Sequence, residues 1–327
     1  MSRCFGSLAC GAIEGCRWSQ RAHQPTARHE LFGVRTGSIS NTGIKEYPYR
    51  PLAFRGPGVT VSDIGMFRYF GYGSNMSLTA LRAKGVEPLG SRPAALHGWR
   101  LRFNVQHFFR HEGGVGNIER TDIPGARVLG VLHDCPDEAL APLDATEAFG
   151  YGYDRIPVDV DADGERVSAL TYIGLPEFID DACLPSRRYL NILVDGARRT
   201  GLAADYLRDL MAQPIHEPDP VPPFVPPPGE HAVFDAAALA DHPSYTALYG
   251  AVFDMTHARP LHAYLKTFFG GRDMTLFHLK RLDSSDGSET MTDIVQGRLN
   301  DAQRSYLNGY LTEYAKEYRY VGRIDYE

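Results

Sequence analysis

Between residues 214 and 229 the chain carries Pro214, Pro218, Pro220, Pro222, Pro223, Pro226, Pro227 and Pro228. Each proline removes a backbone donor and fixes φ, so neither a helix interior nor a central strand can run through the stretch. It reads as an extended, semi-rigid linker, and as a spacer before it reads as a ligand for a proline-binding module. The chain is thereby divided into an α+β unit over 66–213, a linker over 214–241 and a second α+β unit over 242–327. Residues 1–65 show neither period-2 nor period-3.6 patterning and are expected to be disordered or an over-annotated extension, with Met66 a candidate genuine start.

Within 66–213, short β-type runs at Phe67–Tyr72, Trp99–Asn104, Val128–His133, Ile156–Val160 and Ser168–Ile173 are separated by turn residues. Helices are expected over Ser77–Lys84, where Ser77 can cap the first turn, over Ser186–Thr200, closed by Gly201, and over Ala203–Ala212. That distribution predicts a mainly antiparallel sheet or small mixed barrel with flanking helices. In the second unit a strand is expected over Leu248–Met255, a turn at Gly270–Gly271 and a C-terminal helix across Asp301–Tyr318.

Charge narrows the function classes. The whole chain has a net charge of −6, and residues 66–327 hold 26 Lys/Arg against 36 Asp/Glu once the 8 and 4 of residues 1–65 are taken from totals of 34 and 40. An acidic body without a dense cationic stripe argues against nucleic acid as a partner. No stretch approaches 18 consecutive apolar residues, so no transmembrane segment is expected. Five cysteines without a CxxC spacing suit a reducing compartment, and a cytoplasmic location is the expectation. Twelve histidines show no HExxH-like spacing, and His107, Arg110 and His111 read as an exposed polar cluster, so no catalytic metal is expected. Cys135 and Cys183 read as small buried hydrophobes.

The densest chemistry is Tyr69-Phe70-Gly71-Tyr72-Gly73-Ser74-Asn75, a strand that breaks into a glycine-containing loop. Such a loop can aim several backbone N–H groups at one point and suits a carboxylate or a developing oxyanion. Downstream, Glu147 lies among Leu143, Phe149, Tyr151 and Tyr153, surroundings expected to bury it partly and raise its basicity. Ser74 has no base evident in the sequence, which weakens a serine-hydrolase reading.

Residues 66–213 resemble the γ-glutamylcyclotransferase family. The resemblance rests on Tyr69–Met76, on Gly113-Gly114-Val115-Gly116-Asn117-Ile118, on Val128–Leu132, on the Glu147 segment and on Pro185–Tyr189 through Gly201-Leu202, in the family's order. It implies release of 5-oxoproline from a small-molecule γ-glutamyl amide without a cofactor, with Glu147 as the catalytic acid/base. It further implies Tyr69, Phe70, Gly71, Tyr72, Gly73, Ser74 and Asn75 as the substrate-binding segment, with Tyr172 as a substrate contact favoured over Tyr153. The chain departs from the family at Ala148, where many relatives carry glycine.

Residues 242–327 resemble the cytochrome-b-like haem/steroid-binding domain of the membrane-associated progesterone-receptor type. The matching text is Tyr249–Thr256, Gly270–Thr275, Leu299–Gln303 and Tyr320–Arg323. The resemblance implies haem or a lipid as a ligand, with His262 and Tyr264 as candidate donors, although Tyr264 is out of register with that branch's ligand and Lys266 stands there instead. A second function therefore stays open: a haem- or lipid/steroid-binding protein in which the first unit is a scaffold.

Overall fold

The computed structural model describes residues 65–326. The expectation for residues 1–65 concerns a segment that lies, but for Gly65, outside the described residues.

Seven strands build the first half: β1 (Met66–Gly71), β2 (Gly90–His97), β3 (Trp99–Gln106), β4 (Gly114–Arg120), β5 (Arg127–Pro136), β6 (Tyr153–Ala162) and β7 (Glu165–Gly174). Five of them close into a barrel in the order β1-β5-β2-β6-β7, while β3 and β4 form a separate two-stranded ribbon. The pairings are antiparallel except for β1 against β7, which meet in parallel at Tyr69 and Leu170 and shut the barrel. In β6 the period-2 pattern is plain: Val158, Val160 and Ala162 face the core while Asp159 and Asp161 face solvent.

Four helices flank the barrel: α1 (Leu78–Ala83), α2 (Leu140–Thr146), α3 (Arg187–Thr200) and α4 (Ala204–Met211). The caps follow the sequence. Ser77 Oγ accepts from the Ala80 N–H, Ser186 Oγ accepts from the Tyr189 N–H, and Gly201 closes α3 in the left-handed conformation at φ 79°. Strands β2 and β4 escaped the sequence reading because one carries Pro93 and alanines and the other two glycines, all weak strand formers. Helix α2 escaped it because Pro142 looks like a breaker, yet it occupies the first turn, where no intrahelical N–H bond is lost.

The second half holds β8 (Ala232–Phe234), α5 (Ala236–Ala240), β9 (Tyr245–Leu248), β10 (Ala251–Asp254), α6 (Ala263–Phe269), β11 (Arg272–Asp273), α7 (Thr275–Leu279), α8 (Met291–Val295), α9 (Asp301–Glu317) and β12 (Arg319–Ile324). Its sheet runs β11-β9-β10-β12-β8. The single strand expected over Leu248–Met255 is instead a hairpin. Tyr249 and Gly250 take φ of 46° and 84°, the paired left-handed conformation that a tight two-residue turn requires. Helix α9 starts at a capping box of Asn300 and Gln303.

The linker lies extended along α9: Phe224 N–H donates to Asn308 Oδ1 at 2.6 Å, and Asn308 Nδ2 donates to the Pro222 carbonyl at 2.9 Å. The halves are also interlocked directly. Phe109, from the β3–β4 connection, is 2% exposed and belongs to the core of the second half, stacked on Phe269 and Tyr314. Of the exposed cluster expected at His107, Arg110 and His111, Arg110 is exposed, whereas His107 and His111 lie at an internal contact surface, where both ring nitrogens of His111 are shielded from water. Beside it the Glu112 carboxylate, 2% exposed, pairs with Arg188 and accepts from the Tyr310 hydroxyl at 2.8 Å. Burial opposes that charge, but Arg188 holds Glu112 well below the usual carboxylate range.

Candidate active site

Glu147 caps the C-terminus of α2, its N–H bonded to the Leu143 carbonyl at 2.9 Å. The chain then reverses through Ala148 at φ 52°, whose carbonyl gathers the N–H groups of Tyr151 and Gly152 at 2.9 and 2.8 Å. Glycine would take up this left-handed position without the strain of a Cβ. The turn sends the Glu147 side chain toward the end of β1, where the loop Tyr72–Asn75 begins.

Two side chains, themselves hydrogen-bonded to each other, hold the carboxylate. Lys84 Nζ lies 2.5 Å from Oε1, Asn75 Nδ2 donates to the same oxygen at 3.0 Å, and Lys84 also donates to Asn75 Oδ1 at 2.7 Å. Asn75 Nδ2 further donates to the Tyr69 hydroxyl at 2.7 Å. Side-chain exposure is 4% for Lys84 and 15% for Glu147, so the pair is largely removed from water. Burial alone would raise the Glu147 pKa, as the sequence suggested. The Lys84 charge, hydrogen bonds from Lys84 and Asn75 and the more distant Arg281 outweigh it and leave the pKa below the ordinary value. Lys84 is itself lowered, by burial first and by Arg281 after it, against the pull of Glu147.

Tyrosines wall the cleft beside Glu147. Tyr72 donates to the Tyr172 carbonyl at 2.6 Å, Tyr153 to the Gly116 carbonyl at 2.8 Å, and Tyr172 to Asp144 Oδ1 at 2.5 Å. Asp144 also pairs with Arg155, which fixes the far end of the Tyr172 ring. The Tyr189 hydroxyl accepts from the Gly116 N–H at 2.9 Å. A Cβ at Gly73 or Gly116 would stand 2.8 or 2.9 Å from that hydroxyl, so glycine is what lets the loop and β4 close on it. Beneath the loop, His133 Nε2 meets the Asn75 carbonyl at 2.9 Å, and burial pushes its pKa down to about 4, leaving the ring neutral.

The cleft is lined by Tyr69, Tyr72, Gly73, Ser74, Asn75, Gly116, Glu147, Tyr153, Tyr172 and Tyr189. Of the residues expected from the sequence, Phe70 is the outlier: its ring is fully buried in the barrel core. Gly71 also lies outside the lining, and a Cβ there would stand 3.2 Å from the Asn75 backbone, so it shapes the loop. Lys84, His133, Asp144 and Tyr189 were missed as site residues. Tyr189 stood in the matching Pro185–Tyr189 text, whereas nothing in the sequence marks Lys84.

Tyr264 does not belong to a separate ligand site. It lines a second, larger cavity that shares Ser74, Glu147, Tyr153 and Tyr189 with the cleft. Its ring stacks on Phe108 and tilts against Tyr151, and its buried hydroxyl faces the Ala148 backbone outside hydrogen-bond geometry. His262, fully buried, has Nδ1 against the Tyr318 hydroxyl and Nε2 against the Phe108 carbonyl, each at 2.9 Å. With both ring nitrogens engaged, His262 braces the two halves and does not fit an axial haem ligand; Tyr264, turned toward the Glu147 cavity, does not fit one either. Among the described residues no cluster of three or more His, Cys, Asp or Glu is arranged to hold a metal ion, and no helix is long and apolar enough to cross a membrane.

Comparison with known proteins places part of this architecture. Residues 127–210 match the AIG2-like family. That segment carries Glu147, Tyr172 and α3, and stops before the second half. No curated protein matches the chain. Among solved structures, a γ-glutamyl cyclotransferase is 26% identical, with 46% of this chain and 90% of that one covered and a TM-score of 0.42. An uncharacterized protein from Homo sapiens is 27% identical, covering 46% and 89% at a TM-score of 0.41. YkqA from Bacillus subtilis is 24% identical, covering 47% and 58% at a TM-score of 0.40.

Proposed function

We propose that this chain is an enzyme of the γ-glutamylcyclotransferase type, converting a γ-glutamyl amide into 5-oxoproline and a free amine. The observation that carries the reading is Glu147: a shielded carboxylate, kept ionised by Lys84 and Asn75, at the junction of a tyrosine-walled cleft and a larger cavity. The cleft would take the γ-glutamyl group and the larger cavity the amine.

Glu147 accepts a proton from the substrate's α-ammonium and frees the nitrogen lone pair. That nitrogen attacks the γ-carbonyl of the same molecule, closing a five-membered ring, and the bond from the γ-carbon to the amide nitrogen breaks. The α-nitrogen loses two protons on the way from ammonium to lactam, and the departing nitrogen gains two on leaving as an ammonium ion, so a carboxylate that accepts and returns protons balances the reaction. Because the attack is intramolecular, the protein chiefly holds the folded-back conformer, and such orientation can contribute roughly 7–11 kcal/mol. Lys84 and Asn75 keep the base charged and aimed. Tyr172, anchored on Asp144, keeps the opposite wall rigid.

The test is turnover of a panel of γ-glutamyl amides by the full chain, reading 5-oxoproline, beside Glu147→Gln. Glutamine keeps the shape but cannot accept the proton, so kcat should fall by at least about 100-fold, with binding retained. Equal turnover by the two proteins would remove Glu147 from the mechanism.

A further inference from the structure

The larger cavity is built by both halves. From the first half come Phe108 and the Glu147 neck; from the second come Tyr264, Phe268, Phe277, His278 and Arg281. These aromatic faces give the wall an apolar body. Lys84, Glu147 and Tyr310 on this wall are hydrogen-bonded, whereas Arg281 and His278 are not fully engaged. Arg281 stacks over the Phe277 ring at 4.8 Å and, among the described residues, its guanidinium makes no hydrogen bond or ion pair. His278 is 2% exposed; its Nε2 meets the Tyr314 hydroxyl at 2.9 Å, while its Nδ1 is buried with no partner. Burial, with Arg281 beside it, holds His278 well below its usual pKa, so the ring is neutral and Nδ1 is left to bond a ligand.

An unpaired guanidinium next to a shielded, unpartnered imidazole nitrogen, set among aromatic rings, matches a carboxylate attached to a large apolar group. The carboxylate in question belongs to the departing side, because Arg281 lies in the cavity beyond the Glu147 neck and is absent from the cleft that fits the γ-glutamyl end. We propose that the second half forms the leaving-group subsite and selects γ-glutamyl derivatives of aromatic or large aliphatic α-amino acids, whose free carboxylate is received by Arg281. The proposal rests on the cyclisation reading for the position of the scissile bond. It gives the second half a role in specificity without requiring a cofactor of its own.

The experiment pairs γ-glutamyl-phenylalanine with γ-glutamyl-phenethylamine, which keeps the ring but lacks the carboxylate. Dissociation constants are measured by calorimetry on the full chain carrying Glu147→Gln, and kcat/KM for both on the native chain. The expected result is a preference for the carboxylate-bearing compound that falls at least tenfold in Arg281→Gln and is partly kept in Arg281→Lys, with Phe277→Ala weakening both ligands alike. An Arg281→Gln variant that weakens both ligands equally overturns the proposal, as does failure of γ-glutamyl-phenylalanine to bind at millimolar concentration. Arg281-dependent binding without 5-oxoproline formation supports the subsite while refuting the cyclisation reading, so the two fail separately.

Discussion

Replacing Lys84 by methionine isolates what the buried ion pair does for Glu147. Methionine fills similar volume without charge, and the carboxylate keeps only the Asn75 hydrogen bond at 3.0 Å. Removing one partner of a buried pair costs about 3–5 kcal/mol because the other charge is stranded, and the surviving bond argues for the lower end. At about 3 kcal/mol, a unit of this size should lose roughly 6–12 °C in Tm at neutral pH. The pH dependence carries a sharper signature. In the native chain the Glu147 pKa is depressed, so its charge contributes stability above the unfolded-state value, and that contribution fades as pH falls through the folded value. In the variant, burial is no longer offset by the Lys84 charge and the pKa rises. The sign reverses: the penalty is greatest at neutral pH and shrinks on acidification as the stranded carboxylate takes up a proton. The acid limb of kcat/KM should move to higher pH for the same reason. Thermal melts from pH 4 to 8 and pH–rate profiles on a γ-glutamyl amide check both. A variant whose penalty is independent of pH, with an unmoved acid limb, would refute the argument that Lys84 keeps Glu147 ionised.

Two further changes probe the frame around the site. Phe109→Ala should cost about 3–5 kcal/mol in urea unfolding, since the ring from the first half stacks on Phe269 and Tyr314 of the second; a loss under 1 kcal/mol would mean that the halves are not joined through it. Ala148→Gly should raise stability by about 0.5–1 kcal/mol, the relief of a left-handed Cβ less the greater chain entropy of glycine, and an unchanged or lower Tm would argue that φ 52° is not strained there.

The residues of the site were legible to different degrees, for physical reasons. Glycine-rich text followed by Ser74 and Asn75 declares a loop, because few other residues tolerate such close backbone approach, and Asn75 and Glu147 do meet across 72 positions of sequence. Phe70 was drawn into the candidate set by adjacency, but side chains alternate along a strand, so the residue after Tyr69 points to the other face, into the barrel core. Lys84 reads as an ordinary surface lysine at a helix end and is buried only because α1 packs beside Glu147. His107 and His111 looked solvated, for polarity in a loop says nothing about what will later close over it.

What the sequence by itself determined is local: the caps at Ser77 and Gly201, the extended proline stretch, and the period-2 strands of the barrel. Each follows from backbone sterics and hydrogen-bond supply within a few residues, which composition and spacing record directly. Only the tertiary structure decided the electrostatics of Glu147 and the second wall of its cavity. Burial raises a carboxylate's pKa and a nearby cation lowers it, and the outcome depends on whether Lys84, 63 residues away, arrives at 2.5 Å. The linker likewise promised separation, yet Phe109 and His262 interlock the halves, because an aromatic ring or a neutral imidazole is as much at home in a neighbouring core as in its own.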